Sequence, residues 1–333
     1  MVINEKKKMK TMKKSPIYIM LMCLMAHTSC TRDHVDDVEF GVRIENENNL
    51  RVGTPVTFNF SGNAEYITFY SGEPGNNYAN VHRNMVDIES MQLECTIKQQ
   101  YTDKEYRLKE IVHAYISEDF DGQYTLESIE EATWQNVTGQ EYGQIAVPQT
   151  RNNATEEVSS KVDWSDYKDQ PFYLAFQYLA SKRNDVPSSD GGGRYLMQPR
   201  VDINPLSLTR TTVDGLKLVW ENAKTDWGFR IIYQKSTQQG NYQVSDGGLL
   251  FQPQKNKEHT DDDVIVWMVS RPINPKEVEP DRGTAIKSAE AYLPTYSHTY
   301  DKPGTYTATF IATNANLWDS ERQIKEIKIT INE

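Results

Sequence analysis

The sequence predicts an all-β protein, on three observations. Apolar residues recur with period two in runs too short for ordinary helices. The breaks between these runs are rich in Gly, Pro, Asn and Asp. No long amphipathic helical stretch is present, which disfavours βαβ units and makes sandwiches the expectation. The 333 residues allow two or three domains of ordinary size. With 38% hydrophobic and 25% charged residues, 19 Tyr and 6 Trp, the composition fits neither a disordered chain nor a multi-span membrane protein.

The chain begins with six lysines between Lys6 and Lys14, then an apolar run from Ile17 to Ala26. That run is far below the ~20 residues needed to span a bilayer but suits a signal-peptide h-region. Residues 1–29 are therefore expected to be removed. The segment His27-Thr28-Ser29-Cys30 then resembles a bacterial lipobox, with a small residue directly before Cys, although His27 stands where Leu or a small apolar residue is usual. The resemblance implies that Cys30 becomes residue one, carrying thioether-linked diacylglycerol and an amide-linked chain. At about 0.8 kcal/mol per buried CH₂, several long chains give lasting membrane attachment. The alternative is a soluble secreted protein cut between Ala26 and Ser29.

Asp33, Asp36 and Asp37 follow closely, and this acidic start is similar to the surface-export signal of Bacteroidetes lipoproteins. It implies an outer-membrane location facing the cell exterior, with residues 30–37 as a lipidated linker. The segment from Thr31 to Val38 reaches at most ~29 Å when extended.

Loss of residues 1–29 removes six lysines and Glu5, taking 36 basic and 47 acidic residues to 30 and 46, a net charge of −16. Such a surface repels phosphate backbones and anionic head groups, so no nucleic-acid partner is expected and neutral ligands fit better. Of Cys23, Cys30 and Cys95, only Cys95 would remain as a thiol, which excludes an intramolecular disulfide. Its strand-like flanks, Leu93 to Ile97, make it a small buried apolar residue rather than a nucleophile.

The period-two runs, in chain order, are Val56, Phe58 and Phe60; Phe172, Leu174, Phe176 and Tyr178; Val264, Val266 and Met268; Tyr306, Ala308 and Phe310; and Ile327, Ile329 and Ile331. Turns are expected at Glu73-Pro74-Gly75-Asn76-Asn77, at 187–193 with its triple glycine, and at Lys302-Pro303-Gly304. A short helix is expected over Leu126 to Ala132.

The stretch from Tyr296 to Phe310, with Thr313-Asn314 after it, resembles the last strands of a polycystic-kidney-disease (PKD) type immunoglobulin-like domain. The strands that should precede it are missing locally and are found near the other end, from Val52 to Phe60 and from Tyr66 to Gly75. Residues 38–90 and 288–333 together approach the ~100 residues of one immunoglobulin-like sandwich. The expected organisation is thus a PKD-like sandwich assembled from both ends of the chain, with residues 91–287 inserted. Two small domains flanking a middle one are the rival arrangement.

Within 91–287, three stretches resemble jelly-roll (galactose-binding-like) modules of Bacteroidetes surface proteins: His113 to Gly122 running on to Trp134, Val162 to Phe176, and Trp267 to Ile273. The family is one of outer-membrane lipoproteins of polysaccharide-utilisation type. It implies glycan as ligand, either a polysaccharide or an oligosaccharide, and outer-membrane glycan transporters as partners.

No metalloprotease, nucleophile-elbow, P-loop or dinucleotide signature is present. The five histidines of the expected mature chain, His34, His82, His113, His259 and His298, are scattered without metal-ligand spacing. Asp119 and Asp121, in Asp-Phe-Asp-Gly, offer oxygens to a structural calcium, the one cofactor the sequence suggests; a solvated turn is the plainer account. Sugar rings stack on aromatic faces, so the aromatics at loop edges are the candidate glycan contacts: Trp220, Trp227, Tyr195 and Trp318. Trp134, Trp164 and Trp267 lie in strand motifs and read as core. The expectation is a non-catalytic surface lipoprotein that binds extracellular glycan or scaffolds its uptake. A structural adhesin and an unrecognised glycoside hydrolase are the alternatives.

Overall fold

A computed structural model describes residues 34–45, 47, 50–100, 111–149, 155–180, 198–235, 240–253 and 263–333. The lipidation candidate Cys30 and the aromatic Tyr195 lie outside them. The chain divides into two compact units, residues 1–78 with 282–333 and residues 79–281. Both are almost entirely β, in sandwich-like sheets. The chain opens with β1 (Phe40–Ile44), β2 (Pro55–Gly62) and β3 (Tyr66–Tyr70).

Among the described residues the second unit carries eleven strands. They are β4 (Ile88–Gln100), β5 (Val112–Ser117), β6 (Gln135–Asn136), β7 (Thr155–Asp163), β8 (Tyr173–Ala180), β9 (Arg200–Thr212), β10 (Lys217–Trp220), β11 (Arg230–Lys235), β12 (Asn241–Val244), β13 (Leu249–Gln252) and β14 (Val264–Val269). One sheet runs β12-β13-β9-β4-β7 with β10 on β9; the other runs β11-β14-β8-β5-β6, and all the pairings are antiparallel. Met91, Leu93, Cys95 and Ile97 of β4 alternate into the core, where they meet Leu174, Phe176 and Tyr178 of β8. Burial pushes the Cys95 thiol up to about 12.

The sheet containing β8 is buried on both faces. Ala175, Trp267 and Val269 point away from the other sheet into a second cluster with Phe120 and Ile129. Ile129 comes from α1 (Leu126–Glu131), the one α-helix among the described residues. Thr125 caps it, its hydroxyl oxygen accepting from the Ser128 N–H at 3.2 Å. No helix among the described residues is long and apolar enough to cross a membrane. Trp164 is fully buried and Trp267 nearly so, while half-buried Trp134 donates its indole N–H to the Ile129 carbonyl at 2.9 Å.

The chain then returns to the first unit with β15 (Thr284–Lys287), β16 (Thr295–Thr299), β17 (Gly304–Ala315) and β18 (Ser320–Ile331). These strands pair with the opening ones, giving sheets β1-β2-β16 and β15-β3-β17-β18. Phe310 on β17 is the centre of the core between them, its ring 4.9 to 6.3 Å from those of Phe58, Phe69, Phe60 and Phe40. Gly72 has φ +85°, and a Cβ there would come within 2.7 Å of the Thr307 backbone, so only glycine lets this turn lie against β17. Buried Tyr300 donates its hydroxyl to the Ser71 carbonyl at 3.0 Å.

The unit boundaries differ from those expected at 90/91 and 287/288. A cut after residue 90 would sever β4, which already pairs with β9 from Ile88. β15 hydrogen-bonds to β3 and so belongs to the first unit.

Candidate functional site

Trp227 is not a surface residue. It is 0% exposed, its ring 5.9 Å from Phe229 and 5.8 Å from Trp220. The local cause is a polar turn. The Asp226 carboxylate accepts the N–H groups of Glu221 and Asn222, the Asn222 side chain accepts those of Lys224 and Thr225, and the indole is thrown inward. A tryptophan between Asp and Gly looks like a loop edge in sequence, but here it is core.

Trp220 is half-buried. The Arg271 guanidinium lies 4.3 Å, and that of Arg210 5.1 Å, from its ring centroid, so arginines occupy the space a sugar would need on the faces they cover. Arg210 is itself buried, with Nη1 donating to the carbonyls of Pro275 at 2.7 Å and Glu277 at 2.9 Å, and burial pulls it down to about 10. Trp220 is thus a packing element rather than an open platform. Of the three predicted contacts among the described residues, Trp318 alone stands clear, 75% exposed in the β17–β18 turn.

Asp119 and Asp121 are each engaged by polar groups of their own segment. Asp119 Oδ1 accepts the Ser117 hydroxyl at 2.9 Å and the Thr133 N–H at 2.8 Å, and the Thr133 bonds hold its carboxyl below the usual range. Asp121 accepts the Gln123 N–H at 2.9 Å and the Ser128 hydroxyl at 3.2 Å. Asp121 thus ties the loop to α1, while Asp119 joins the end of β5 to the residue just after the helix cap. Among the described residues no three His, Cys, Asp or Glu side chains are grouped to hold a metal, and the contacts seen for this pair are those of a turn.

A concave feature lies in the first unit. A groove of about 460 Å³ runs between the end of β2 and the loop from β15 to β16, with Phe40, Phe60 and Ile67 at its apolar base. Three contacts fix its walls. Asn63 accepts the Glu39 N–H at 2.8 Å and donates to the Asp37 carbonyl at 2.9 Å. Lys287 Nζ donates to the Ala64 carbonyl at 2.6 Å. Gly62 has φ +110° with the Glu39 carbonyl where a Cβ would sit, so no other residue allows this approach.

Tyr292 stands on the rim, 90% exposed, with Glu290 and Ser61 also lining the groove. Neither of these two side chains has a hydrogen-bond partner among the described residues. An open phenol face, a hydroxyl and a carboxylate acceptor beside an apolar floor suit a neutral polyhydroxylated ligand, which presents C–H faces and O–H donors. Sequence reading missed Tyr292. Exposure in an Ala-Tyr-Leu-Pro loop leaves no periodic mark; the available signal was a large aromatic between two strand patterns with no alternation of its own.

Fold and groove together define a nearly all-β sandwich protein with a small, polar-rimmed surface groove. The chain belongs to the family described as a domain of unknown function, DUF5017, whose match covers residues 29–226. That match takes in the first three strands and runs through β10, ending one residue before Trp227. No curated protein matches the chain.

Proposed function

We propose that the protein is a non-catalytic, lipid-anchored surface protein that binds extracellular glycan or presents it to an uptake complex, with the groove beside Tyr292 as the contact. The observation that carries this reading is Tyr292 itself, a tyrosine left 90% exposed over a groove with an apolar floor and unpartnered polar groups. Glu290 is the one carboxylate lining the groove, whereas glycoside hydrolysis ordinarily uses a pair. The sandwich sheets are read more finely as a PKD-like unit and a jelly-roll unit, and the setting as the Bacteroidetes outer membrane beside glycan transporters; the motif resemblances support both. Cys30 carries the anchor in this reading.

The test is retention in polysaccharide-containing native gels. Tyr292→Ala should abolish retardation on the glycans that slow the wild type, with the melting temperature unchanged, because an exposed ring contributes little to stability. Equal retardation of both proteins would move the contact elsewhere. No retardation on any host or dietary glycan would favour a scaffold or adhesin.

A further inference from the structure

We propose that the turn between β17 and β18 dips into the lipid interface beside the anchor, with Leu317 and Trp318 as the inserted side chains. The proposal rests on the reading of Cys30 as the lipidated residue. The turn is built to project apolar groups. The Asn316 side chain accepts the N–H groups of Trp318 at 2.7 Å and Asp319 at 2.8 Å, and the Asn316 N–H donates to the Asp319 carbonyl at 2.9 Å. With these polar groups of the turn satisfied internally, Leu317 and Trp318 are left 85% and 75% exposed. Two adjacent large apolar side chains at the end of paired strands of 12 residues each are costly to leave in water.

A second observation says what meets them. The beginning of the described chain is tied to this same turn: His34 Nδ1 lies 2.9 Å from Asp319 Oδ2, which also accepts the Val35 N–H at 3.2 Å. The seam continues through the Asn314 side chain, donating to the Asp36 carbonyl at 3.1 Å, and the Phe40 N–H, donating to the Gln323 side chain at 2.8 Å. Cys30 is four residues before His34, a reach of at most ~14 Å. Lipid at Cys30 therefore brings the bilayer surface to the turn that carries Leu317 and Trp318. Indole is suited to the head-group level, where its ring is half in hydrocarbon and its N–H is wet. The surrounding Asp36, Asp37, Asp319 and Glu321 disfavour anionic lipid, so the occupant is a zwitterionic lipid interface.

The experiment uses the mature chain tethered through the Cys30 thiol to a maleimide lipid in phosphatidylcholine vesicles, with or without brominated acyl chains; buried Cys95 is protected from the reagent. Bromine quenches only tryptophan at acyl depth. The wild type should lose about one of its six tryptophans' emission in brominated vesicles, and Trp318→Phe should lose none. Wild-type emission that is the same in plain and brominated vesicles overturns the proposal and leaves the turn as a contact for another protein. The anchor reading is judged separately, by mass spectrometry of the protein purified from cells. Unmodified Cys30 there would sink that reading, while the chemically tethered arm still reports on the turn.

Discussion

The Arg83 guanidinium meets the Asp281 carboxylate at 2.9 Å, and Asp281 is almost completely buried. The same guanidinium reaches Asp214 at 2.7 Å, and Asn80 donates to the second Asp281 oxygen at 3.2 Å. Residues near the two ends of the second unit are thereby joined to each other and to the turn after β9. Arg83→Ala leaves a buried carboxylate without its countercharge, a loss of about 3 to 5 kcal/mol. Denaturant unfolding followed by tryptophan emission should show the midpoint fall, and an unchanged midpoint would mean that water replaces the guanidinium.

The tryptophans should separate by stability. Trp227→Ala empties a site in the middle of the core and should cost about 3 to 5 kcal/mol. Trp318→Ala, at an exposed turn, should stay within about 0.5 kcal/mol of wild type. Calorimetry of the two variants checks the difference; comparable losses would contradict the placement of either ring.

Cys95 should not react with a thiol reagent at pH 8 in the folded protein and should react once denaturant unfolds it. Its folded value near 12 stands above the ordinary value of 9.0, so the folded state holds its proton more tightly. Stability from this group is complete below pH 9 and is lost as pH rises from 9 towards 12, by at most about 1.4 kcal/mol per unit. Cys95→Ala should make the alkaline fall in stability shallower, as read from unfolding midpoints across that window.

Removing residues 288–333 takes away β16 and β17, the partners of β2 and β3, together with β18, which pairs with β17. Phe58 and Phe69 lose their cover, and the 38–78 segment should become protease-sensitive. Peptide mapping after limited digestion reads this directly, and a resistant 38–78 fragment would show that the opening strands hold together alone.

The strands were legible where one face is dry and the other wet. Val56 and Phe58, and Ile329 with Ile331, kept their alternation as burial, whereas β8 and β14 also bury Ala175 and Trp267 on their far face. The start of β4 was not, because a register shift between Ile88 and Ser90 breaks the alternation where the boundary was placed. At the site level, the loop-edge reading placed Trp318 in the turn where it stands exposed but misjudged Trp227, whose inward turn depends on backbone N–H groups held by the Asn222 and Asp226 side chains rather than on residue type. Trp220 was covered by arginines 10 and 51 residues away in the chain, a proximity that no local pattern encodes. Tyr292 went unnoticed for the converse reason, since a residue that packs on nothing imposes no pattern on its neighbours.

Thr57 on β2 and Ser297 on β16 share a hydrogen bond although 240 residues separate them in the chain. During synthesis the opening strands therefore emerge long before their partners, and they must wait with Phe58 and Phe69 uncovered until the last strand, β18, has been made. The intervening residues 79–281 contain every strand of their own sheets, so they can close first, while the chain ends remain the slow step of high sequence separation. A ribosome-stalled chain ending before β16 would present a finished second unit flanked by an adhesive, unpaired first one, which makes the interval between those two events the period when this protein most needs a holding chaperone.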